Sequence, residues 1–325
     1  MRPLFSALIA LAAVSGWAAA QPGSFVIDDD KYSDRVLQSA ERLLQQHRLV
    51  SLQSLQQQVR RRGTPLNLLP VSREKLEPPE LCERLRESTL AVGTFYKCPD
   101  CGNWHFSSSS GFVAAEGGVI STCCHVIITD DKDVKEAYLV AADSSARVYP
   151  VEAVLAADTR ADTCLLRITA PGLRPLPFRT GARPGEMVYC LSHPGGYFFM
   201  FTQGMISRLN RRTNADAQDL DGNPAVPSRP VLMLNITAEF APGSSGAAVV
   251  DGCGNVVGQV ASIADAGEPA SPNEDDAPAS PSVPVRFCTA SEEILPLTNP
   301  NFAKEFHAPQ LRPAKKPKSK TRQLQ

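Results

Sequence analysis

A chain of 325 residues is long enough for one large or two modest domains, and 33 basic against 34 acidic residues leave no global charge to hold a nucleic acid. Few aromatic residues (6%) and 27 prolines suit a strand-rich protein with much irregular chain. Residues 1–20 read as a secretory signal, with Arg2 at its start, an apolar core over residues 4–14 and Ala18-Ala19-Ala20 as the cleavage site. The run is short and alanine-heavy for a membrane span of about 20 strongly apolar residues. The mature chain is therefore expected in a periplasm or secreted, with no stable membrane insertion.

Residues 21–87 read as a helical segment and linker. Val36, Ala40, Leu43, Leu44 and Val50 recur at helical spacing, with Ser33 as the expected N-cap. Ser51 starts a second helix through Leu52, Leu55 and Val59, ended by Gly63. A proline-rich linker over 64–79 leads to a short helix at 80–86. This segment is expected to be a brace or pro-segment, with an oligomerisation arm as the alternative, and the oligomeric state stays open.

Strand-like stretches then follow closely. Residues 88–96, 105–113, 118–122, 136–142, 148–155 and 163–168 make six, the number that fills one Greek-key barrel. A proline- and glycine-rich crossing over 171–184 precedes a second six: 186–192, 197–207, 231–240, 247–250, 256–264 and 283–289. The fold class predicted is all-β, two six-stranded barrels behind a short helical segment. Residues 265–284 hold acids, five prolines and no basic residue, so they are expected to be a solvated insertion. Residues 299–325 are expected to be a disordered basic tail.

Three stretches carry chemistry. Pro242-Gly243-Ser244-Ser245-Gly246 is a tight turn with a serine between glycines, and it can aim the amides of Gly243 and Ser245 at one point beside a hydroxyl. Cys123-Cys124-His125-Val126 presents a histidine after a strand, and Asp162 opens the apolar run Thr163-Cys164-Leu165-Leu166. A serine hydroxyl needs a base to take its proton, and the base needs a carboxylate to fix its tautomer. Ser245, His125 and Asp162 supply these three roles.

Over about residues 88–298, these motifs resemble the chymotrypsin/trypsin clan of serine proteases. Within the clan they resemble the Deg-type (high-temperature-requirement) bacterial branch, without a PDZ domain. Ser121-Thr122-Cys123-Cys124-His125-Val126 stands for the histidine motif, Asp162-Thr163-Cys164-Leu165-Leu166 for the aspartate motif and Pro242-Gly243-Ser244-Ser245-Gly246 for the serine motif, in the clan's chain order. Ser244 replaces the usual Asn or Asp, and Ala247 replaces a glycine. The resemblance implies two barrels of chymotrypsin type and a serine endopeptidase acting on protein or peptide substrates, with no cofactor. It also implies a pocket residue six positions before the nucleophile, Glu239. An acid there favours Lys or Arg in the substrate, whereas Deg-type relatives usually carry a small apolar residue and prefer aliphatic side chains. The alternatives are a protease-fold binding or chaperone module without turnover, and a zymogen-like protease gated by its N-terminal helices.

Nine cysteines leave at least one unpaired within the chain. Cys98-Pro99-Asp100-Cys101 suits a tight disulfide, reduced thiols or half a zinc site with His105, and the lack of a second CxxC favours the first two, so no metal is expected. Of Cys123 and Cys124, one is expected to face the core and the other the cleft. His193, with no carboxylate motif near it, reads as structural or as part of the cleft rim.

Overall fold

The computed structural model describes residues 25–61, 63–128, 134–212, 229–266 and 283–299. The signal at 1–20, nearly all of the acidic insertion and the tail beyond residue 299 lie outside these. Twelve strands form two closed antiparallel barrels. The first takes β1 (Thr89–Lys97), β2 (Trp104–Ala115), β3 (Val119–Thr122), β4 (Ala137–Ala142), β5 (Val148–Asp158) and β6 (Thr163–Ile168) in the order β1-β2-β3-β6-β5-β4. The second repeats that order with β7 (Met187–Ser192), β8 (Met200–Arg212), β9 (Val231–Ile236), β10 (Ala248–Val250), β11 (Val256–Ala266) and β12 (Val283–Ala290). This is the chymotrypsin-type double barrel. Closure removes free sheet edges, which suits strands as short as β3 and β10.

Each barrel has its own apolar filling. Leu90, Val92, Ile120, Leu139, Val154 and Leu166 fill the first, and Val188, Ile206, Leu234, Val249, Val257 and Val260 fill the second. A third cluster lies between and outside them, joining Phe112, Phe178, Leu191, Phe198 and Val256 to the N-terminal helices.

The helices are built into the barrels. α1 (Asp29–Gln45) buries Tyr32, Val36, Ala40 and Leu43. It begins earlier than Ser33, because the Asp28 carboxylate accepts from the Lys31 amide and caps the helix. Ser51 caps α2 (Leu52–Gln56) as expected, but α2 ends before Val59 and Gly63. The chain around Val59 is a series of turns, and its Arg61 carbonyl accepts from Ala157 of β5. Leu55 and Val59 insert into the core of the first barrel. The linker crosses to the second barrel, where Thr64 and Leu66 donate to carbonyls of α4 (Ser291–Thr298) and Leu76 donates to Gly252. α3 (Pro78–Arg86) then returns the chain to β1.

β9 stops at Ile236 rather than running to Phe240. Thr237 leaves the ladder, its amide and hydroxyl bonding to the backbone of Met205. All nine cysteines are free thiols. Cys123, Cys124, Cys164, Cys190 and Cys288 are buried and fill space as small apolar side chains.

Leu55→Ala should cost about 2–5 kcal/mol, the usual loss for a fully buried leucine. Urea denaturation measures it. A loss below about 1 kcal/mol would show that α2 is a surface appendage.

Candidate active site

The site is assembled where the two barrels meet. His125 sits just beyond β3 in a single helical turn, and its amide points to Asp162 of the β5–β6 turn. There Asp162 adopts a left-handed conformation (φ 49°), which aspartate tolerates better than most residues. Its carboxylate takes two bonds from one residue: Oδ1 accepts from the His125 amide at 3.0 Å, and Oδ2 lies 2.6 Å from His125 Nδ1. This fixes the tautomer of a neutral ring, with the proton on Nδ1 and Nε2 free to accept. Burial opposes protonation of His125, but the hydrogen bond and charge of Asp162 outweigh it, so its pKa is raised above the usual 6.5. The side chain remains about half exposed (49%).

The Asp162 turn is itself held from the second barrel. Arg160 bonds Asp158 at 2.7 Å and Glu293 of α4 at 2.8 Å, and the Glu293 side chain is only 4% exposed. Thr289 of β12 donates to the Ala161 carbonyl.

The serine turn docks on the first barrel through Ser110 of β2. The Ser110 amide donates to Ser245 O, and its hydroxyl donates to Gly243 O at 2.9 Å while accepting from the His193 amide. Gly246, at φ 90°, packs so closely on the Ser110 carbonyl and Thr122 that a Cβ has no room. The turn's other peptides are also oriented. Pro242 O accepts from Gly195, and Ser244 O accepts from Ala247. In a trans peptide the N–H points opposite to the C=O. The Gly243 and Ser245 amides are thereby turned away from those partners, and among the described residues neither has an acceptor. Two donors with oriented peptides thus lie unpaired in the turn that carries the partly buried Ser245.

The structure therefore joins His125 directly to Asp162 and seats Ser245 on the strand that carries Ser110. No hydrogen bond links Ser245 Oγ to His125 Nε2 among the described residues. Such bonds are often long before substrate binds. Glu239 is exposed, and its carboxylate has no partner among the described residues; its carbonyl accepts from Thr202. Cys123 and Cys124 are both buried, against the expectation of one facing the cleft. Burial raises the Cys123 thiol well above its usual range, and it donates to Val260 O. His193 is fully buried, its Nδ1 accepts from Phe199, and burial lowers its pKa to about 3, so it is a structural residue.

Residues 109–258 match the family model of the trypsin-like peptidase domain. This stretch is similar to the trypsin-like peptidases. It contains His125, Asp162 and Ser245, and it runs from within β2 into β11. A solved structure described as the HtrA-type protease AlgW with decapeptide is 17% identical with a TM-score of 0.49, the match covering 70% of this chain and 68% of that one. No curated protein matches the chain.

Sequence reasoning missed Ser110 and the Arg160–Glu293 pair in this peptidase site. The signal for Ser110 was the serine run 107–110 leading into an apolar stretch. For Glu293 it was the acid pair opening Ile294-Leu295, which reads as a helix start.

Ser110→Ala removes the donor to Gly243 O and the acceptor of His193 N. A buried group left unpaired costs about 1–3 kcal/mol, so the melting temperature should fall and peptide hydrolysis should slow in kcat more than in KM. Unchanged kcat would show that the clamp does not order the turn. In an NMR titration, His125 should protonate with a midpoint above 6.5, and Asp162→Asn should lower that midpoint, since burial alone opposes the charge. A wild-type midpoint below 6.5 would contradict the assigned role of Asp162.

Proposed function

We propose that the protein is an exported serine endopeptidase. Ser245 Oγ attacks the carbonyl carbon of a peptide bond while His125 Nε2 takes the hydroxyl proton. Asp162 keeps the other ring nitrogen protonated and stabilises the cation that forms. The carbonyl oxygen becomes an oxyanion and accepts from the Gly243 and Ser245 amides. His125 then returns the proton to the leaving amine, which departs and leaves an acyl ester on Ser245. A water, deprotonated by His125, hydrolyses that ester by the same route. No step calls for a cofactor. The observation that carries this reading is the pairing of His125 with Asp162, Oδ2 lying 2.6 Å from Nδ1, beside a serine turn whose Gly246 packs on Thr122, three residues before His125.

Glu239 is the proposed charge of the pocket that takes the side chain before the cut, where it would select Lys or Arg. Its exposure with no competing cation supports that role. Export rests on the signal-like residues 1–20; among the described residues no helix is long and apolar enough to cross a membrane.

The gated reading has an observation of its own. Asp29 of α1 accepts from the Phe198 amide, and Tyr32 packs on Phe198 and Phe199, which contact the His193 ring. His193 in turn bonds Ser110, so α1 reaches the serine turn through one chain of contacts.

Ser245→Ala should abolish casein hydrolysis. Asp162→Asn should leave a folded protein with turnover lowered by about 10³–10⁴, through loss of the correct tautomer. Casein cleavage at the wild-type rate by the Ser245 variant would remove the serine mechanism.

A further inference from the structure

The hairpin between β1 and β2 brings together three side chains that the peptidase chemistry does not use. Cys98-Pro99-Asp100-Cys101-Gly102-Asn103 closes the turn. The Cys98 amide donates to Asn103 O, and the Gly102 amide donates to Cys98 O with Gly102 at φ 68°. This folds the loop back on itself. His105 lies on the returning strand opposite Tyr96, and the two rings stack 5.7 Å apart. Its Nε2 stands 3.1 Å from Cys101 Sγ. Cys98 Sγ, Cys101 Sγ and the His105 nitrogen all lie within 4.8 Å of one another.

We propose that Cys98, Cys101 and His105 bind a zinc-type divalent cation. Zinc takes thiolate sulfur at about 2.3 Å and imidazole nitrogen at about 2.0–2.1 Å in a tetrahedron, so its donors stand about 3.5–4 Å apart. The three atoms need only small adjustments to meet one ion, Cys101 and His105 moving apart slightly from 3.1 Å and no pair starting beyond 4.8 Å. Two thiolates balance the ion's two charges, and the sulfur–nitrogen donor set selects a borderline-soft metal over calcium or magnesium. A Cys98–Cys101 disulfide would leave the approach of His105 to Cys101 without a role. Cys101 and His105 are exposed and Cys98 partly so, which gives the ion an entry path and leaves the fourth position to water or an incoming ligand. The ion would tie the end of β1 to the start of β2. Ser110 lies five residues beyond His105, about 17 Å along the strand at 3.3–3.4 Å per residue, so this metal takes no part in hydrolysis.

The test is metal content of the full-length protein, purified with a thiol reductant, offered zinc chloride and desalted. About one zinc per chain should remain, and cobalt(II) in its place should show thiolate-to-metal charge-transfer absorption. Cys98→Ser with Cys101→Ser should lose the metal, and His105→Ala should weaken binding roughly tenfold or more in competition with a chromophoric chelator. Cys123→Ala should keep it, which separates this site from the other group of possible ligands, Cys123, His125 and Asp162. Should the double variant misfold, alkylation of the wild type decides: zinc should protect Cys98 and Cys101 from iodoacetamide. Absence of bound zinc, absence of protection, loss of metal on Cys123→Ala alone, or a Cys98–Cys101 disulfide that persists in the reduced protein would each overturn the proposal.

Discussion

The Ser110 hydroxyl is the contact on which the rest of the site depends. It belongs to the first barrel, yet both its bonds go to loops of the second, to the Gly243 carbonyl and the His193 amide. With the Ser110 amide on Ser245 O, one residue sets the serine turn against the strand pair that leads to His125. A hydroxyl suits the place because it donates and accepts at once. Buried at the seam, it also makes relative sliding of the barrels costly, since any slip leaves a buried group unpaired.

The same exchange between barrels recurs at the carboxylate. Asp162 lies at the edge of the first barrel, but its turn is braced by Glu293 and Thr289 of the second. Ser121 and Gln259 make a further buried bond across the seam at 2.6 Å. His125 and Asp162 lie with the first barrel and Ser245 with the second, so their relative placement is a property of the docking. The N-terminal helices tighten that docking from outside: α1 contacts the β4–β5 turn through Tyr32 and the β7–β8 loop through Asp29.

The sequence showed the strands well, because alternation and short apolar runs between turn residues are local signals. All twelve were found within a few residues. His125, Asp162 and Ser245 were singled out by local motifs, of which the structure brings His125 and Asp162 into direct contact, and the serine turn was marked by its glycines. Pairings between distant residues were not. Nothing near Ser110 announces Gly243, 133 residues away, and nothing near Arg160 announces Glu293, 133 residues on. The cap of α1 was misplaced because Asp28 competed with Ser33 and won by its bond to Lys31. The hairpin cysteines and His105 showed their spacing, but the 3.1 Å approach of His105 to Cys101 depends on the register of β1 with β2.

If docking of the barrels makes Ser245 a nucleophile facing two prepared donors, a crystal structure of the protein after reaction with a fluorophosphonate will show a phosphonyl group on Ser245 Oγ. One of its oxygens will lie within hydrogen-bond distance of both the Gly243 and Ser245 amides, and His125 Nε2 will stand against the adduct with Nδ1 still on Asp162. An unmodified Ser245, or an adduct whose oxygen meets neither amide, would contradict it.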